Sequence, residues 1–255
     1  MSQETKLAKG SIGSSTETAS LRGESPSCSL VGSISRLIAS SGESIWIRLE
    51  QSIERTWPDL LLISCRPEFS VAAELTADDA SILSVMRSSG RVRPVTIAKK
   101  VRRSEDAVRR RLKHLCGLGL VRASSATTFV LADEWKNVLR EVVSVEFETE
   151  AWQPALRRAA SNRTFSHRSF VALPRALAND ASASEAFEVL GIGLIGYEVT
   201  EDASILKAAT RSQPFAWKSY FQLAILTASR AVNSDSSVPP VDSVLWTQGT
   251  GASCS

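Results

Sequence analysis

The strongest constraint on this chain lies between Ala77 and Leu131, where three short helix-forming stretches are followed at once by two short strand-forming ones. Ala77 to Ser88 reads as a helix with Ile82, Val85 and Met86 inward. Pro94 can open a second, because the first helical position needs no backbone N–H, and Ile97, Ala98 and Val101 are its apolar residues. Ser104 caps a third through its hydroxyl, and Glu105 and Asp106 favour the positive end of the helix dipole. Val108, Leu112 and Leu115 fall at i, i+4 and i+7, one buried face, and Gly117 is expected to end that helix. Leu120 to Ala123 and Thr128 to Leu131 then read as strands joined by a small polar turn.

Charge is concentrated in the same stretch. Between Arg91 and His114 lie ten Lys/Arg against two acids, a net +8, which leaves −5 for the rest of a chain whose total is +3. An imbalance this local is the footprint of a surface that meets a polyanion.

The run Val95-Thr96-Ile97-Ala98-Lys99-Lys100-Val101, then Ser104, Val108, Leu112, Leu115 and Gly117-Leu118-Gly119-Leu120-Val121, resembles the winged helix-turn-helix domains of bacterial transcription regulators. The resemblance covers residues 77–131 and implies that the third helix enters the major groove of double-stranded DNA. It exposes Glu105, Asp106, Arg109, Arg110 and Lys113 there, with Arg109 and Arg110 suited to guanine and Lys113 to phosphate. Lys99, Lys100, Arg102 and Arg103 would flank the groove and hold the backbone. A protein-docking adaptor with a solvated basic face is the competing reading of the same residues.

Around this unit the chain divides by composition. Residues 1–42 read as a mostly disordered, Ser/Thr/Gly/Glu-rich tail with a short helix near Leu30 to Ala39, and residues 233–255 as a second such tail. Ile45, Leu49 and Ile53 recur at four-residue spacing and predict a helix up to Trp57-Pro58, followed by a buried strand over Asp59 to Ser64. Residues 43–76 would thus be the first part of an α/β core that continues over 132–232. The tail before Ser27 lacks the apolar run of a signal peptide, and no apolar stretch is long enough for a membrane span. Cys28, Cys65, Cys116 and Cys254 show no paired spacing, which suits a reducing cytoplasm. No membrane partner is expected, and a homodimer stays open.

After an expected helix near Asp133 to Arg140, Val143 to Glu148 alternates as a half-buried strand does, with Glu146 and Glu148 on one face. Two carboxylates at i and i+2 stand about 6–7 Å apart and can share a divalent cation, although the pair equally fits a solvent-facing strand edge. A helix follows with Trp152, Ala155, Leu156 and Ala159 in register, then Asn162-Arg163 and the strand Ser169 to Pro174. A helix near Ser184 to Leu190, strands at Ile192 to Val199 and Ser204 to Lys207, and a last helix from Phe215 to Ala231 complete the reading.

From Glu146 to Pro174 the chain looks like the PD-(D/E)XK (restriction-endonuclease-like) superfamily, whose members show Glu-x-Lys on a strand, an Ala-Leu-x-Gln-Ala helix and an apolar strand. The resemblance implies an α/β (α+β) fold with the winged helix joined to or inserted in the core. It also implies a Mg²⁺-dependent DNA endonuclease with catalytic and metal-binding Glu146 and Glu148. Two departures matter: Glu148 stands at the lysine position and Arg158 at the glutamine position. Asp59, after Pro58, is the candidate third metal carboxylate, although it precedes what reads as the first strand; Glu68 and Glu74 are alternatives, and Glu50 is a candidate first-helix acid. The expectation is a DNA-binding protein with a degenerate nuclease-like domain, with the active endonuclease as the alternative. Gly191 to Gly196 satisfies G-x-G-x-x-G but opens a strand after a helix, the reverse of the dinucleotide context, and His167 has no evident acid partner.

Overall fold

The computed structural model describes residues 27–38, 45–49, 58–198, 203–233 and 246–247. The strands are β1 (Ile45–Leu49), β2 (Leu60–Cys65), β3 (Val121–Ala123), β4 (Phe129–Leu131), β5 (Leu139–Phe147), β6 (Arg168–Pro174), β7 (Gly193–Tyr197), β8 (Ala203–Lys207) and β9 (Trp246–Thr247). The helices are α1 (Cys28–Ile38), α2 (Ala77–Ser89), α3 (Pro94–Val101), α4 (Glu105–Gly117), α5 (Trp152–Asn162), α6 (Arg175–Ser182), α7 (Ala186–Leu190) and α8 (Trp217–Asn233). The protein is mixed α/β. One seven-stranded sheet has the order β8-β7-β6-β5-β2-β1-β9, and β3 and β4 form a separate ribbon.

The central strand β5 pairs antiparallel with β2 and parallel with β6, so α5 is the crossover between two parallel neighbours. Its alternation sorts the core. Leu60, Leu62, Val143, Val145, Phe170 and Ala172 face α1, whose Leu30, Val31 and Ile34 are buried against them. Val171, Leu173 and Leu194 turn to the opposite face, against Ala155, Leu156 and Ala159 of α5. The half-buried strand expected at 143–148 is therefore a fully covered central strand.

The unit α2–α3–α4–β3–β4 is inserted between β2 and β5, which are neighbours in the sheet. It shares one apolar core with them: Ile82, Leu83, Met86, Ile97, Leu112 and Leu115 join Leu61, Ile63, Val142 and the α8 residues Tyr220 and Phe221. The unit is therefore fastened to the sheet by burial, not hung on a linker.

Several expectations are corrected. Residues 45–49 form a strand, not a helix, registered antiparallel from Ile45 with Ser64 to Leu49 with Leu60. A spacing of four belongs to both periods, and Ile, Trp and Ile in sequence favour the pleated form; Ile53 lies outside the described residues. Asp133–Asn137 is a single 3₁₀ stretch, and β5 starts at Leu139 instead of a helix running to Arg140. There the Tyr220 hydroxyl donates to Leu139 O and accepts from Leu139 N, both at 2.8 Å, so the strand begins without a sheet partner for those groups. Helix α4 does end at Gly117, as expected, and the left-handed residue after it is Gly119, φ 77°. Helix α6 has no signature in the sequence, because its buried residues are only Ala178 and Ala181 and it carries no large apolar stripe. Within the two expected tails, α1 packs on the core and Trp246–Thr247 pairs with β1; residues 1–26 and 248–255 lie outside the described residues.

Candidate nucleic-acid interface and carboxylate cluster

Helix α3 begins at Pro94 and ends at Arg102, whose φ of 55° is the single non-glycine positive φ among the described residues. The Ser104 hydroxyl then accepts from Ala107 N at 3.3 Å and starts α4. With Val108, Leu112 and Leu115 buried, Asp106, Arg109, Arg110 and Lys113 are exposed along the outer face, while Lys99, Lys100, Arg102 and Arg103 are exposed on α3 and the following turn.

These cations are not equivalent. Arg103 donates to both Asp78 oxygens at 2.8 and 3.0 Å, Arg109 pairs with Glu105 one turn back, and Lys100 Nζ reaches Ser89 Oγ at 3.0 Å. Lys99, Arg102, Arg110 and Lys113 make no ion pair with a described residue. The β3–β4 turn, Ser124 to Thr128, carries no charge. Sequence reasoning missed Arg111, which turns inward and clamps Asp79 with both Nε and Nη2. Asp79 is fully buried and also completes a capping box with Thr76. Burial pushes its pKa up, but Arg111 and the Thr76 bonds outweigh this and hold it below the usual carboxylate range.

At the far end of the insertion's neighbouring strands sits the second group. Because 45–49 is a strand, Asp59 leads into the second strand of the sheet rather than the first, and its Oδ2 accepts from Phe147 N at 2.8 Å. Glu146 is 1 % exposed. Its Oε2 accepts from Arg158 Nε and its Oε1 from Asn162 Nδ2, each at 2.6 Å, with both donors supplied by α5. Burial first, and the Asp59 charge second, push its pKa up to about 7 despite Arg158.

Glu148 is held more loosely than Glu146 by the same arginine. It lies one residue beyond β5, partly exposed, 3.7 Å from Arg158 Nη2, while its Oε1 accepts from Thr149 N at 3.0 Å. Arg158 therefore serves Glu146 foremost and Glu148 only at a distance. Glu68 and Glu74 are exposed beyond the opposite end of β2, and Glu50 lies outside the described residues.

The residues present do not fit Mg²⁺. Each Glu146 oxygen already accepts from a donor that has no lone pair to offer a metal, and the Arg158 cation occupies the place beside the carboxylate where the ion would stand. Among the described residues no three of His, Cys, Asp and Glu converge in a metal-holding group. His167 is buried, but as a strand cap: its Nδ1 accepts from Val142 N at 3.0 Å. The glycine run is structural as well. Gly191 ends α7 at φ 64°, and a Cβ on Gly193 would stand 2.2 Å from the Phe170 ring.

No helix among the described residues is long and apolar enough to cross a membrane. No protein-family model, curated protein or solved structure matches the chain.

Proposed function

We propose that this chain is a cytoplasmic protein that binds double-stranded DNA, using residues 77–131 as a winged helix with α4 in the major groove. On this reading the carboxylate end is a degenerate nuclease-like site. The observation that carries it is the outer face of α4, where Arg110 and Lys113 are exposed and make no ion pair with a described residue, on a helix whose inner face is locked into the core. Arginine suits guanine O6/N7, and Lys113 with Lys99 suits phosphate. Arg102 adds support. Its left-handed backbone is the αL cap that closes α3, and the residue is exposed on the turn before α4.

Fluorescence anisotropy on duplex DNA tests the reading. Log Kd should move with log salt at about 0.9 per phosphate contacted, and Arg110→Ala should weaken binding by about 1–3 kcal/mol. Binding that ignores both salt and substitution would leave the protein-docking adaptor as the better account.

The active endonuclease is favoured by one observation, the approach of Asp59 to Glu146 beside a strand–helix–apolar strand run. Against it stands the occupation of Glu146 by Arg158 and Asn162. Nicking of supercoiled plasmid in Mg²⁺ or Mn²⁺ by the wild type, lost in Glu146→Ala, would establish the nuclease; absence of nicking is the expected result.

A further inference from the structure

The ribbon that follows α4 carries no charge at its tip, where the turn Ser124 to Thr128 holds only Ser, Ala and Thr. Arg122 on β3 is the one cation of its two strands, and Glu134 takes it with bonds of 3.0 and 3.1 Å. β3, β4 and their turn therefore offer a polyanion no free charge.

The ribbon has a third member on the other side of β4. Gly90 ends α2 with a φ of 69°, a conformation that glycine adopts without steric cost. Val92 then bridges Phe129 antiparallel, each backbone N–H donating to the other's carbonyl at 2.9 Å. Val92 is buried in the core that the helices and the ribbon share. Side chains alternate along an extended segment, so Arg91 and Arg93 turn away from Val92, and both are exposed. Neither guanidinium makes a hydrogen bond or an ion pair with a described residue.

Helix α3 sets these arginines in line with the other cations. Arg93 is its N-cap residue, and Pro94, Ile97 and Ala98 are its buried side. The exposed side carries Val95, Lys99 and, at the closing turn, Arg102, at spacings of four and three residues. From Arg93 to Arg102 the chain advances about 13 Å at the helical rise per residue. One strand of B-DNA places a phosphate about every 3.4 Å along its axis, so Arg93, Lys99 and Arg102 span several successive phosphates. Arg91 extends that row towards β4.

We propose that Arg91 and Arg93 are further DNA-contacting residues, which hold phosphates of the duplex on the ribbon side of α3 in place of the charge that the ribbon's turn lacks. This role rests on the DNA reading of residues 77–131. The contacts are blind to sequence, since neither arginine lies on the helix assigned to the major groove. Both side chains are also ready for use. Arg103 and Arg122 must first leave Asp78 and Glu134, whereas Arg91 and Arg93 give up no partner among the described residues.

Fluorescence anisotropy of the full-length protein on two duplexes of unrelated sequence, between about 50 and 200 mM salt, tests this role. Each phosphate contact adds about 0.9 to the slope of log Kd on log salt, so a fourfold rise in salt costs about 3.5-fold in affinity per contact. Arg91→Gln and Arg93→Gln should each lower the slope by about 0.9, and the double variant by about 1.8, on both duplexes alike. Arg93→Lys should keep the wild-type slope. Arg122→Gln removes a neutralised charge and Arg157→Gln an exposed one on α5, and both should leave the slope unchanged. Ethylation of single phosphates gives a second readout: some phosphates whose ethylation blocks the wild type should cease to matter for the double variant. Thermal melts should match the wild type, because both side chains lie at the surface. Wild-type slopes in both arginine variants, with Arg110→Ala still weakened, would overturn the role of Arg91 and Arg93 and leave the winged-helix reading standing. An equal loss of slope in Arg157→Gln would also overturn it, since net charge and not contact would then be responsible. A wild type that shows no salt-dependent duplex binding would overturn the DNA reading, and this role with it.

Discussion

Two carboxylates in this protein are shielded from solvent and each is bound by an arginine, yet they are held in opposite ways. Asp79, inside the helical insertion, is fully buried and clamped by Arg111. Glu146, in the centre of the sheet, is 1 % exposed and bound by Arg158. Burial raises the pKa of both. Asp79 nevertheless ends below its ordinary value, because Arg111, Thr76 N and the Thr76 hydroxyl all stabilise the anion and no neighbouring acid is among the causes that raise it. Glu146 ends near 7, because Asp59 repels its charge and Arg158 is shared with Phe147 O and Glu148. What separates a structural carboxylate from a poised one is how far the count of donors, set against neighbouring acids, offsets burial.

The largest effect expected from this contrast is at Asp79. Replacing it with alanine strands Arg111 and removes the capping box of α2, so chemical denaturation should show a loss of about 3 kcal/mol. Asp79 and Arg111 join α2 to α4, and the loss should therefore weaken DNA binding through a loosened helical unit. A change under about 1 kcal/mol would mean that the pair is no more than an exposed ion pair.

Second in size is the pH response of Glu146→Gln. A raised carboxylate pKa means that the folded protein binds a proton which the unfolded chain has released. Glu146 therefore lowers stability as pH rises from about 4.5 to about 7. His167 acts in the other direction: its folded pKa is pressed down to about 4, so its contribution is present above 6.5 and lost as pH falls towards 4. The two slopes oppose each other between pH 4.5 and 6.5. Glutamine removes one of them and keeps the hydrogen bonds, since the Asn162 amide can rotate to accept. The variant should gain stability on the wild type as pH rises, by up to about 1.4 kcal/mol per pH unit through that window. Parallel pH profiles would show that Glu146 is ionised throughout, like Asp79.

The insertion was easier to read than the sheet for a physical reason. Its helices are marked by local chemistry: Pro94 at a first turn, Ser104 at a cap, Val108, Leu112 and Leu115 at helical spacing. The strand at 45–49 carries a four-residue spacing that two periods share, and only its pairing with β2 decides between them. Read as a helix, residues 45–49 leave Asp59 ahead of the first strand, whereas their pairing with β2 puts it ahead of the second. The anchoring of Glu146 by Arg158 and Asn162 was out of reach as well, because partners 12 and 16 residues away meet only when α5 folds back along β5. Arg111 was hidden among the basic residues of α4; its inward position depends on Asp79, which lies 32 residues earlier.

The smallest effect tests where the poised cluster ends. Glu148 is partly exposed, lies 3.7 Å from Arg158 and spends one oxygen on the amides of Thr149 and Glu150. A long pair in contact with solvent is worth little, and glutamine can still accept from those amides. Glu148→Gln should thus change stability by no more than about 0.5 kcal/mol. It should also leave the Glu146-dependent pH profile in place, since the causes that raise Glu146 are burial and Asp59, not Glu148. Denaturation of the single and double variants gives the answer directly. A double variant that departs from the sum of Glu146→Gln and Glu148→Gln by more than about 0.5 kcal/mol would show that the two residues share Arg158 as one unit. Additive changes would confine the cluster to Asp59, Glu146, Arg158 and Asn162, with Glu148 merely closing the strand beside it.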